Sequence, residues 1–84
     1  MGTRKNLKPV LAFIDVLRTH IPKIRRAAKE DNADRLEYYR KETANYFAQA
    51  EAALAELHGQ ASVREAQALY ESAKSDVLSS FPPL

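Results

Sequence analysis

At 84 residues, with 45% hydrophobic and 29% charged side chains, the chain has the length of one small domain, a size that buries about 60–65% of its unfolded surface and is only marginally stable by itself. It contains no cysteine, which excludes disulfide stapling, thiolate catalysis and thiolate metal sites and suits a reducing, cytoplasmic setting. The net charge of +2 conceals a split, since residues 1–30 hold eight Lys/Arg against Asp15 and Glu30 for a net +6, and residues 31–84 carry a net −4.

One basic helix lying beside acidic neighbours accounts for that split; an anion-binding face is the sharper reading of it. Residues 1–6 read as a flexible N-terminus. The apolar run VLAFI is interrupted by Asp15 and lacks a small-residue cleavage pattern, so it is a poor signal peptide. No apolar run approaches membrane-spanning length. Gly2 is followed at position 6 by Asn rather than Ser or Thr, which argues against myristoylation. No membrane association is expected.

The first helix is predicted over about 7–30, with Asn6 as its N-cap and Pro9 in the first turn, where a missing N–H costs nothing. Apolar residues return along it every seven positions in two rows. Leu7, Ile14, Ile21 and Ala28 form one; Val10, Leu17 and Ile24 form the other. Together they draw a stripe down one side of a helix, and that stripe needs a cover. Leu11, Phe13 and Val16 widen it in the first half only. Pro22 predicts a kink rather than a break, because the stripe continues in phase beyond it. Arg25, Arg26 and Lys29 then complement the dipole at the helix C-terminus.

Asp31 or Asn32 caps a second helix over about 33–57, with Asp34 in its first turn. Its stripe is Leu36, Tyr39, Thr43, Tyr46/Phe47, Ala50, Ala53/Leu54 and Leu57, and Gly59 is placed to end it as a left-handed cap. Glu37 and Lys41 have the spacing and order of a surface ion pair. The two stripes pair as an antiparallel hairpin: Leu7 faces Leu57, Val10 faces Leu54, Ile14 faces Ala50, Leu17 faces Phe47 or Tyr46, Ile21 faces Thr43, Ile24 faces Tyr39, and Ala28 faces Leu36. Random apolar spacing would not hold that register over the full length.

Ser62-Val63-Arg64-Glu65 has the form of a capping box, and opens a third helix over about 63–79 whose apolar face is Val63, Ala66, Leu69/Tyr70, Ala73 and Val77. At roughly 25 Å it is about 10 Å shorter than the hairpin. The fold expected is all-α: a single domain built as an up-down-up three-helix bundle near residues 7–20, 44–57 and 63–79, with a protruding two-helix tip. Residues 80–84 form an extended tail from which Phe81 folds back as a plug.

Catalytic groups are sparse. His20 and His58 fall at different heights of the hairpin, cannot share a metal or a proton relay, and read as surface or capping residues. Zinc, EF-hand, phosphate-loop and dinucleotide patterns are all missing from the sequence. No enzyme activity, metal, cofactor or small-molecule substrate is expected. The informative surface is the hairpin tip, where Lys23, Arg25, Arg26, Lys29, Arg35, Tyr38 and Lys41 form the candidate partner-binding set. Tyr39 belongs to the packing stripe, so Tyr38 should face solvent, where an aromatic among arginines can anchor a protein interface or stack on a base. Glu30, Asp31, Asp34 and Glu37 share the tip and weaken the nucleic-acid reading.

Phe13 and Val16 are a candidate dimer patch: core if the third helix lies over them, exposed if it lies on the Leu11 side. The function expected is a non-enzymatic helical module that binds another protein as an adaptor, small chaperone or inhibitor. The alternative is an RNA- or DNA-binding hairpin, dimeric, that uses the basic tip.

Overall fold

A computed structural model describes residues 7–57 and 63–83. Three helices follow in order, α1 (Lys8–Lys29), α2 (Ala33–Glu56) and α3 (Val63–Ser80), within one or two residues of the predicted bounds. The Asn6 cap, the Gly59 cap and the Ser62 capping box fall outside the described residues. α1 opens with Leu7 in a helical conformation and no side-chain cap, and with Pro9 in the first turn. It then runs unbroken through Pro22. Both the Thr19 hydroxyl and the His20 Nδ1 approach the Val16 carbonyl in the turn before that proline, at 2.6 and 2.8 Å, a kind of back-bonding that commonly accompanies a bend.

The α1–α2 turn is made where the sequence places it. Asp31 takes the left-handed conformation at φ 54°, which Asp tolerates better than most residues. Asn32 caps α2 by accepting the Arg35 amide at 3.1 Å. The register holds to within a helical turn. Tyr46, predicted opposite Leu17, has its ring between Phe13 and His20, at 6.3 and 5.7 Å between centroids. Lys41 and Glu37 pair at 3.7 Å as expected.

α3 packs mainly on α1, and Arg18 fixes the side. Its guanidinium donates to Asp76 at 3.0 Å and to the Ser72 hydroxyl at 3.4 Å, so α3 lies along the Leu11 edge of α1 and not over Phe13 and Val16. The core gathers Val10, Ile14 and Leu17 from α1, Ala50 and Leu57 from the second helix and its cap, and Ala66, Tyr70, Ala73 and Val77 from α3. Phe81 plugs its upper end as predicted, buried beneath the Arg40 guanidinium, which stands 4.5 Å from the ring centroid and donates to the Pro82 carbonyl at 3.3 Å. The three-helix section therefore reaches the level of Arg40, about one turn higher than the predicted boundary at residue 44.

One expectation is corrected inside α1. The buried rows are Val10/Leu17/Ile24 and, beside it, His20 and Ala27, with Phe13 half-buried below them; Leu7, Ile21 and Ala28 stay half-exposed. The stripe turns toward Ala27 because α2 covers the Phe13–His20–Ala27 edge along its whole length, whereas the Leu7–Ile14–Ile21–Ala28 edge faces the shorter α3.

At the opposite end of the α2–α3 contact, the Tyr70 hydroxyl is hydrogen-bonded to Glu51, which also accepts Lys74 at 3.0 Å. The Tyr70 hydrogen bond first, then that of Lys74, hold the Glu51 carboxyl below its ordinary range, while burial and the Glu51 contact push the Tyr70 phenol well up. A depressed carboxylate contributes stability that is complete above its unfolded value and is lost as the pH falls through its folded one. Glu51→Gln should therefore unfold more easily at pH 7, by roughly 0.2–1 kcal/mol for a solvent-screened site. Urea titrations at pH 7 and at pH 2.5 should show the gap between variant and wild type closing in acid; a gap that stays constant would mean the charge does not contribute.

Candidate functional site

The tip consists of the last two turns of α1 and the first two of α2, beyond the end of α3. Ile24 and Ala27 are buried between the two helices and Leu36 and Tyr39 half-buried against them, so this segment is held together by a narrow apolar strip. All seven residues of the predicted binding set are exposed, six of them in these turns and Lys41 just below, beside the three-helix section. Two are tied to neighbouring carboxylates, Arg26 to Glu30 at 3.3 Å and Lys41 to Glu37 at 3.7 Å. Exposed pairs one helical turn apart contribute only tenths of a kcal/mol and yield readily to a partner. Lys23, Arg25, Lys29 and Arg35 make no ion pair with the described residues.

Tyr38 is 57% exposed, as its position beside Tyr39 predicts. The two rings meet edge to face at 5.5 Å, which restricts Tyr38 to one side of α2. The Glu42 charge, together with some desolvation and a hydrogen bond to the same carboxylate, raises the Tyr38 phenol above its usual value.

Glu42 leads inward to the residue that the sequence reading placed wrongly. His20 is not a surface or capping histidine but is 7% exposed, enclosed by the rings of Tyr39 and Tyr46 at 5.9 and 5.7 Å. Because a carbonyl can only accept, the contact of Nδ1 with the Val16 oxygen assigns the proton to Nδ1 and turns Nε2 toward Glu42, 3.6 Å away. A pattern built from aliphatic residues alone passes over this position. The usable signal is its seven-residue spacing from Phe13 and Ala27. Thr43, facing the same interior, satisfies its hydroxyl on the Tyr39 carbonyl at 2.8 Å. His58 lies outside the described residues.

The candidate dimer residues Phe13 and Val16 are half-buried, Phe13 against Tyr46. The large apolar side chains that are exposed lie elsewhere, at Leu11, Leu69 and Leu78 as well as Tyr38. Among the described residues no group of His, Asp and Glu is arranged to hold a metal ion, and no helix is long and apolar enough to cross a membrane. Compared with protein-family models, with curated proteins and with solved structures, the chain matches none of them.

Proposed function

We propose that this protein is a non-enzymatic helical module that binds another protein through its hairpin tip, acting in the cytoplasm as an adaptor, small chaperone or inhibitor. The observation that supports the reading is that the end of the molecule beyond the third helix exposes Tyr38 together with Lys23, Arg25, Lys29 and Arg35, four cations with no ion-pair partner among the described residues. Such a surface offers an aromatic anchor and charged steering groups, the composition of interface hot spots. The cost to the fold is small, since these side chains stabilise nothing that is visible in the core.

Capture from lysate of the source cells with wild-type and tip-altered baits tests this. Proteins retained by the wild type should be lost with Tyr38→Ala plus Arg35→Glu, two exposed changes that leave the bundle intact. Equal retention by both baits would remove the tip from consideration. The same cations support a second reading, an RNA- or DNA-binding hairpin, and salt separates the two. Phosphate contacts weaken steeply with ionic strength, and the carboxylates of Glu30, Asp31, Asp34 and Glu37 oppose them, so binding to mixed-sequence RNA should be absent at 150 mM salt.

A further inference from the structure

We infer that the stretch of hairpin groove left open beyond α3 docks an acidic amphipathic helix of a partner protein, seated end to end with α3. The inference rests on the protein-binding reading above and gives it a surface and a partner chemistry. α3 shows, within the chain, what this groove accepts. It lays Ala66, Tyr70, Ala73, Val77 and Phe81 against the hairpin and sets Asp76 3.0 Å from Arg18.

Positions seven apart on a helix lie nearly on one line. The lines that run through Ile14 and through Arg18 therefore continue to Ile21 and Ala28 and to Arg25, with Lys29 one helical turn beyond Arg25. Ile14, under α3, is 6% exposed, while Ile21 and Ala28 are only half-buried. Ala28 is left so because α3 ends at Ser80 and Phe81 stops against Arg40, whereas Ile21, level with the last turn of α3, packs against the core cluster. Half-buried Leu36 supplies the other wall. Where Arg18 has Asp76, Arg25 and the neighbouring Lys29 are exposed and have no carboxylate partner among the described residues.

An occupant that continues the α3 track must bring a carboxylate to Arg25 or Lys29 and small apolar side chains to Ala28 and Leu36. A basic helix would meet like charge from Arg25, Lys29 and Arg40 together. The open stretch is about two helical turns long, so the contact is small, weak and salt-sensitive.

The probe is a labelled 18-residue synthetic peptide with apolar residues at the α3 spacing and Glu at each position equivalent to Asp76, followed by fluorescence anisotropy against the full chain. A second peptide carries Lys in place of each Glu, and a single-stranded oligonucleotide is run alongside. The acidic peptide should bind and should lose about tenfold in affinity with Arg25→Glu plus Lys29→Glu, from two exposed pairs converted to repulsions. The Lys peptide should gain affinity for that same variant. Both substituted positions are exposed, and circular dichroism of the variant should match the wild type.

Failure of the acidic peptide to bind, binding that is indifferent to the charge reversal, or tighter binding of the oligonucleotide through Arg25 and Lys29 would each overturn the inference. If it is overturned while Tyr38→Ala plus Arg35→Glu still abolishes capture from lysate, the protein-binding reading stands without this groove. If capture shows no dependence on the tip either, both readings fall.

Discussion

Leu17→Ala should remove about 2–5 kcal/mol of stability, the range for deleting a large aliphatic side chain from a packed site. Leu17 is 0% exposed and is among the largest fully buried side chains described. It stands in the middle of α1, in the row that all three helices enclose, where the surrounding backbone is regular helix and cannot collapse into the space. At 0.05–0.15 kcal/mol per residue a chain of this size has about 4–13 kcal/mol in total, so this one change takes a large share of it. Urea unfolding followed by circular dichroism should show the midpoint falling with the slope unchanged, the signature of lost stability without a change in the denatured state. Leu78→Ala, at a side chain 53% exposed, should stay within about 0.5 kcal/mol of wild type. Equal costs at the two sites would mean that the core is not built around Leu17.

Phe81→Ala should cost about 3 kcal/mol, near the lower end for deleting a buried aromatic, because the ring retains 8% exposure. The ring closes the upper end of the three-helix section and carries the Arg40 guanidinium on its face. Its loss should be felt locally as well as globally. Hydrogen exchange should speed up for amides of the last turn of α3, while the tip, held by Ile24, Ala27 and α2, keeps its protection. Arg40→Ala removes the cation and one hydrogen bond to Pro82 but leaves the ring in place, and should cost about 0.5–1.5 kcal/mol. If Arg40→Ala is as damaging as Phe81→Ala, the guanidinium rather than the ring is what holds α3 to the hairpin.

These two sites also separate what was legible in the residue pattern from what was not. Leu17 could be assigned to the core because its row repeats at heptad spacing and pairs in register with α2, and Phe81 because a lone aromatic beyond a helix end must find cover. Tyr38 could be assigned to the surface because its neighbour Tyr39 already occupies the packing side. His20 could not be placed, since a polar residue at a packing position is indistinguishable from a polar residue at a surface position until its hydrogen-bond partners are known. The hydrogen-bond partner of His20, the Val16 carbonyl, and the Glu42 carboxylate facing its other nitrogen come from two different helices. The rotation of the α1 stripe toward Ala27 was hidden for a related reason: periodicity gives the angular width of an apolar face but not which neighbour covers which edge.

The sequence by itself determined three helices, their bounds, the hairpin turn at Asp31 and Asn32, and the presence of Tyr38 and the basic residues at one end, all of which follow from local capping chemistry and the 3.6-residue period. Only the tertiary structure decided that α3 lies along the Leu11 edge of α1, that Arg18 is neutralised by Asp76 while Arg25 is not, and that Ile21 and Ala28 are left half-covered. The physical reason is that both edges of the α1 stripe are nearly equally apolar. The choice between them depends on side-chain packing and one ion pair between residues 58 positions apart, and no local pattern carries that information.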